Sequence, residues 1–238
     1  MNPEHQVGVL IATHNRARTL ARALDSALGQ DLPAEGYAVV VVDDGSTDET
    51  ASILRRYHGR IRCLRQTHQG LAAACNRGLA ELTAPVYTRL DSDDWVRPEW
   101  LRLGLERMEA HPDAVCVYPD WIEVGEDGTQ TLRAAPEANL FTLQACGPFL
   151  RSDAVRAVGG YRTLFWEEYD LYLRLKACGR FVRLPQPLYV YCRSANGMTA
   201  HHRARQAGWN ELARVWGAAA LREAGYNPEL EQCLSASS

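Results

Sequence analysis

Two short, nearly uninterrupted apolar stretches, at residues 7–12 and 38–42, and a third strand-like run at 86–90 each stop abruptly in polar side chains. The stops are Thr13-His14-Asn15-Arg16, Asp43-Asp44 and Asp91-Ser92-Asp93-Asp94. Apolar runs without alternation are what strands buried on both faces require. Helical spacing lies between them. Leu20, Leu24 and Leu28 recur within 17–28, Ser46-Thr47-Asp48-Glu49 has capping-box spacing ahead of a helix to about residue 57, and 71–82 is rich in Ala and Leu. This strand–helix alternation predicts an α/β fold with a parallel sheet and right-handed crossovers. Ligands of such sheets sit outside the carboxyl ends of the strands, so the three polar stops should converge on one rim.

A further short strand is expected near 61–64. Pro98 suits the first turn of a helix carrying Leu101, Leu105 and Met108, followed by a strand at 114–118. Residues 121–132, centred on Gly125-Glu126-Asp127-Gly128, read as a hairpin. The second half is less regular. Helices are expected near 152–158 and 168–178, closed by Gly159-Gly160 and Gly179, with paired strands around 181–184 and 188–192. A terminal helix over about 203–224 carries Trp209, Leu212, Val215, Trp216 and Leu221, a face to be covered by the domain or by a second copy of the chain. No repeat or long linker divides residues 1–238, which predicts one domain.

Composition narrows the partners. With 46% hydrophobic and 23% charged residues the chain is globular rather than disordered, and 26 basic against 29 acidic residues leave a net charge of -3. That balance offers a nucleic acid no basic surface. No uncharged apolar run approaches the roughly 20 residues that span a bilayer, and the N-terminus lacks the basic region of a secretory leader. Seven scattered cysteines without metal-ligand spacing are expected to be reduced, mostly buried thiols of a cytoplasmic protein.

Acidic residues gathered at one rim repel one another, and a cation relieves that repulsion. Hard oxygen donors favour Mg²⁺ or Mn²⁺, which keep waters and bridge to phosphate oxygens. Taken singly, each cluster reads equally as a turn or helix cap, since Asp and Ser favour both. Walker A, G-x-G-x-x-G, H-E-x-x-H and G-x-S-x-G patterns are absent.

In order along the chain, Ile11 to Arg16, Val41 to Asp48, Gly70 to Gly78 with Asn76, and Leu90 to Asp94 resemble the motifs of family 2 glycosyltransferases. Val158-Gly159-Gly160-Tyr161 and Glu167 to Leu175 resemble the acceptor-side motifs of the same family. The likeness covers about residues 7 to 195. It implies a GT-A fold, a Rossmann-like α/β domain, with a nucleotide-binding half over about 1–120. An acceptor-side half over about 121–200 and a helical extension over about 201–238 follow. It also implies inverting transfer of a sugar from a nucleotide-diphosphate donor to a hydroxyl of a glycan, lipid-linked or other acceptor, in the cytoplasm or at the inner face of the membrane.

The resemblance assigns roles as well. Ala12, Thr13, Asn15 and Arg16 would lie along the nucleotide, with His14, where the family often has Tyr, stacking on the base. Asp43 and Asp44 would meet the base edge or ribose, and Asn76 would lie in the donor site. Asp91-Ser92-Asp93 matches the family's Asp-x-Asp motif, with Asp91 toward the ribose and Asp93, with Asp91, on a divalent ion. Asp94 would support from behind, and Gly159-Gly160 would run under the sugar. The acceptor's proton needs a base within hydrogen-bond reach. Glu168 takes the place of the usual Asp, with Glu167 and then Asp170 behind it.

Three positions depart from the pattern: Glu168 itself, Cys75 where relatives carry Arg, and Ser194 where they carry His. His201 or His202 could supply the missing imidazole. Of the tryptophans, Trp95, Trp121 and Trp166 offer sugar-stacking surfaces, Trp166 foremost, while Trp100 reads as core. Two other readings stand beside the transferase: a nucleotide-sugar binding module that has lost activity, and a sugar-phosphate nucleotidyltransferase. The second lacks the glycine-rich loop it would need after the first strand.

Overall fold

The computed structural model describes residues 5–135, 139–194 and 201–226. The apolar runs form β1 (Val7–Thr13), β2 (Tyr37–Asp44) and β4 (Val86–Arg89), with β3 (Arg62–Gln66) at the edge. All four are parallel, and β1 lies between β2 and β4, with Ile11 opposite Val41 and Thr13 opposite Asp43. Successive side chains enter opposite layers. Val7, Val9, Ile11, Val39 and Val41 pack under α1 (Leu20–Leu28) and α4 (Trp100–Ala110), while Leu10, Val40 and Val42 meet α3 (Leu71–Glu81). Burial on both faces is why these strands carry no alternation. The α3 helix comes so close that a Cβ on Gly78 would overlap the Leu10 side chain.

The sheet continues beyond β4 as β8 (Phe149–Arg151), β6 (Ala114–Val124), β9 (Arg180–Cys192) and β5 (Trp95–Val96), and β7 (Gln130–Arg133) pairs with β6 as the expected hairpin. Strands β8 and β5 were not predicted. At three and two residues they are too short to show a period. The expected pair of strands near 181–184 and 188–192 is instead one long strand, parallel to β6, with a register shift where Pro187 falls. Proline donates no ladder hydrogen bond, so the strand bulges there and continues.

Two helical expectations are also corrected. The first helix starts at Leu20 rather than near residue 17, and α2 (Thr50–Arg55) starts beyond Ser46, whose hydroxyl caps nothing in it. That hydroxyl accepts from the Asn15 N–H at 2.9 Å. The terminal helix is divided at Gly217, with φ 80°, into α7 (His202–Trp216) and α8 (Ala218–Glu223). Between β8 and β9 run α5 (Ser152–Ala157) and α6 (Glu167–Leu175). Trp209, Leu212 and Leu221 bury themselves against Trp166, Tyr169 and Phe141, so this chain's own body covers them, while Val215 stays exposed. Among the six described cysteines, all free, Cys75, Cys116 and Cys146 are buried but Cys63 and Cys178 are exposed, fewer buried than expected.

Candidate active site

The β1 and β2 ends are tied by a knot of local bonds. Asn15 holds φ 52°, the only positive value outside glycine among the described residues. Its Oδ1 accepts from the N–H of Thr47 at 2.8 Å and of Asp48 at 3.3 Å. The Arg16 N–H donates to Thr50 Oγ1, and the Ala17 N–H to Asp48 Oδ2. These bonds consume the 13–19 segment, which is why the helix starts late. Ala12 lies in the ladder opposite Val42. Thr13 Oγ1 is buried there without a hydrogen-bond partner in the protein.

Asp43 and Asp44 are both buried, yet differ in task. Asp43 Oδ1 accepts from the Ser46 N–H at 2.9 Å and so holds the turn. Asp44 gathers the following loop. Its Oδ1 accepts from Gln66 Nε2 at 2.7 Å and the Gln69 N–H at 2.9 Å, and its Oδ2 from the Gly70 N–H at 2.8 Å. His68 Nδ1 stands 2.8 Å from Oδ2. Burial alone would raise this carboxyl, but those bonds and the imidazole together hold it below the usual carboxylate range. His14 donates from Nδ1 to the Asp44 carbonyl at 2.8 Å, and its ring lies 4.2 Å from that of His68. His68 is a member of this rim that the sequence reading did not single out.

The β4 end is different. The side chains of Asp91 and Asp93 keep 31% and 28% exposure, whereas Ser92 and Asp94 are buried. Asp94 accepts from the Tyr189 hydroxyl at 2.6 Å and the Cys192 N–H at 2.7 Å, which anchors this loop to β9. Tyr189 in turn accepts from the Asp91 N–H. Arg16 Nε lies 3.4 Å from Asp93 Oδ2, which joins the β1 rim to the β4 rim. Arg22 donates to the Asp93 carbonyl and stacks over Trp95 at 4.0 Å. Burial first and the Asp91 charge second push the Asp93 carboxyl up, and they push that of Asp94 well up.

Across Arg89 from Asp91 lies the Glu167–Glu168 pair. Glu167 and Glu168 open α6 and are both buried, at 2% and 5% exposure. Arg89, the last residue of β4, donates from Nη1 to Glu167 Oε1 at 3.0 Å, and its Nε lies 3.6 Å from Asp91 Oδ1. Through it the two acidic groups belong to one centre. Burial and the neighbouring Glu167 push the Glu168 carboxyl well above the ordinary range. Glu167 is raised by burial, with Arg89 pulling it back down. A single arginine inside the apolar run 86–90 was the signal for this contact.

Other expected members stand elsewhere. Asn76 engages its amide with the Tyr161 backbone, accepting from the N–H at 2.8 Å and donating to the carbonyl at 2.7 Å. Gly160 makes that lock possible, with φ 69° and a Cβ position 2.5 Å from Asn76 Oδ1. Asp170 is fully buried between Arg174, Arg162 and the indole N–H of Trp216. Trp166 is buried against Trp209, with ring centroids 4.8 Å apart, instead of forming an open sugar platform. Trp100 is core, as expected. His201 and His202 are exposed, and among the described residues no cluster of three or more His, Cys, Asp or Glu side chains is placed to hold a metal ion.

Asp91 and Asp93 do fit one in part. They are two hard oxygen donors, partly open to solvent, whose mutual repulsion raises Asp93. Mg²⁺ or Mn²⁺ is commonly held by one or two carboxylates, with phosphate and water completing the shell. Among the described residues no helix is long and apolar enough to cross a membrane.

Known proteins are similar to this chain. The chain is 29% identical over 220 residues to the amylovoran biosynthesis glycosyltransferase AmsE of Erwinia amylovora, covering 86% of this chain and 80% of AmsE. S. aureus TarS 1-349 in complex with UDP-GlcNAc superposes with a TM-score of 0.69 at 19% identity, over 87% of this chain and 66% of that one. The mannosyltransferase PcManGT of Pyrobaculum calidifontis, in complex with GDP-Man and Mn2+, gives 0.68 at 17%, over 98% and 79%. At such identities these two structures speak for the GT-A fold alone. The sequence model of glycosyl transferase family 2 matches residues 8–167, and on that match the chain belongs to family 2 and is a glycosyltransferase.

Proposed function

We propose that this glycosyltransferase moves a sugar, with inversion, from a nucleoside-diphosphate donor to a hydroxyl of a growing polysaccharide, and that Glu168 is the base. The observation that carries the reading is the buried Glu167–Glu168 pair, joined through Arg89 to the half-open carboxylate of Asp91. The acceptor oxygen bonds to C1 of the sugar while its proton passes to Glu168. The bond from C1 to the diphosphate oxygen breaks, and the electron pair leaves with the nucleoside diphosphate. One displacement inverts C1, and one base suffices for it. A carboxylate whose proton affinity is raised by burial and a neighbouring acid suits that task.

The donor lies across the β1, β2 and β4 ends. The unpartnered Thr13 hydroxyl and the adjacent His14 and His68 rings offer contacts to ribose and base. Asp43, Asp44 and Asn15 act mainly by shaping this rim, since local bonds occupy them, and Asn76 shapes it from behind. Asp91 and Asp93 would hold a divalent ion, with Ser92 fixing their spacing. Such an ion, when bound, stabilises the charge of the departing diphosphate. Residues to about 120 then form the donor half of one domain and 121–200 the acceptor half. The polysaccharide assignment leans on AmsE, and the donor class on the UDP-GlcNAc and GDP-Man complexes of the structural neighbours.

Thermal unfolding against UDP, GDP, dTDP and CMP, each with and without Mn²⁺, tests this. A ligand at 100 times its dissociation constant adds about 2.7 kcal/mol to the native state. One nucleotide should give a metal-dependent shift that Asp93→Ala abolishes. Binding without sugar transfer or donor hydrolysis would instead favour an inactive binding module.

A further inference from the structure

Arg89 is the only buried lysine or arginine among the described residues, at 5% exposure. Burying a guanidinium costs several kcal/mol unless its partners compensate, and its strand neighbours Tyr87, Thr88 and Leu90 are all buried without charge. A leucine or methionine would fill such a site more cheaply. What the guanidinium does is join two acids from distant parts of the chain. It bonds Glu167 Oε1 at 3.0 Å and approaches Asp91 Oδ1 at 3.6 Å. Cys146 Sγ at 2.8 Å, Cys75 Sγ at 3.9 Å and the Tyr161 ring at 5.7 Å complete its surroundings. Glu168, next in the chain, is buried beside Glu167. The result is a series, Asp91, Arg89, Glu167, Glu168, from the donor side to the acceptor side.

We infer that Arg89 is a positioning residue for transfer: by holding Glu167 it leaves Glu168 facing the acceptor. The inference rests on the proposed function above. With Glu167 held by Arg89, Glu168 is the carboxylate left to take a proton.

The test is a double-mutant cycle in turnover, with whichever UDP-, GDP-, dTDP- or CMP-sugar the wild type transfers or hydrolyses. Arg89→Met should lower kcat at least about tenfold while the donor KM changes less than about threefold. In a Glu167→Gln background, Arg89→Met should cost less than about twofold, because the residue it acts through is gone. Arg89→Lys should restore part of kcat. The Arg89→Met/Glu167→Gln chain leaves no stranded charge, so it remains measurable if Arg89→Met alone fails to fold. Independent, multiplying losses in the two backgrounds, or an unchanged kcat per folded molecule, would overturn the coupling and leave the transferase reading intact. A wild type that turns over no donor would overturn both.

Discussion

Asp44 at the end of β2 and Asp93 at the end of β4 occupy equivalent places on the same rim, yet their surroundings are opposite. Asp44 accepts hydrogen bonds from three neighbours and faces a histidine, which holds its carboxyl below the usual range. Asp93 stands partly open beside Asp91, Asp94 and a lone Arg16 contact, and its carboxyl is pushed up. The first aspartate is complete within the protein and organises a loop. The second stays partly open and only loosely paired, and it is the carboxylate proposed above to hold the cation. Glu168 extends this contrast, since its proton affinity is raised further by burial and a like charge.

The largest effect should come from the crowded side. Glu168→Gln should lower kcat by about 10²–10⁴-fold with nucleotide binding retained in a thermal-shift assay. Full activity in this variant would move the base elsewhere. Asp44→Ala should act on stability instead, unlatching residues 66–70 at a cost of about 2–4 kcal/mol, read from the urea midpoint. A variant as stable as the wild type would erase the contrast between the two aspartates.

Acidity separates the two sides next. The depressed Asp44 stabilises the fold above the ordinary carboxylate range, and this contribution is lost as pH falls through its lowered value. Glu168 has the opposite sign. With its native value raised, the folded chain binds more protons than the unfolded one between the ordinary and the raised value, so stability declines as pH rises through that window. The urea midpoint of Glu168→Gln should therefore exceed that of wild type near neutrality and converge with it in acid. Equal midpoints at all pH values would show that Glu168 is solvated.

Gly160→Ala should have the smallest effect. A left-handed backbone costs a side chain about 1–2 kcal/mol, and the contact with Asn76 Oδ1 adds to it. Because the turn sits behind the donor rim, thermal stability should fall more than nucleotide affinity.

The parallel core was legible because β1 and β2 are buried on both faces, which leaves nearly continuous apolar runs. The rim was legible for the same reason, since the polar residues mark where those strands leave the core. Strands β5 and β8 were not, because two or three residues carry no periodicity and exist only through their partners. Ser46 misled because a hydroxyl at capping spacing serves equally well as an acceptor for another loop, and Asn15 of the first loop claimed it. Asn76 and Trp166 were read from motif position, whereas packing turned one toward the Tyr161 backbone and the other into an aromatic cluster.

What the sequence alone determined, then, was the strand–helix order of the parallel half, the acidic rim and the family, all of which are written in contiguous residues. Only the tertiary structure decided which acids share a centre. Arg89 and Glu167 are 78 positions apart, and their 3.0 Å contact exists because β4 and α6 pack together. The charge state of Glu168 was likewise beyond the sequence, because proton affinity follows from burial and neighbouring charge, and both are created by folding.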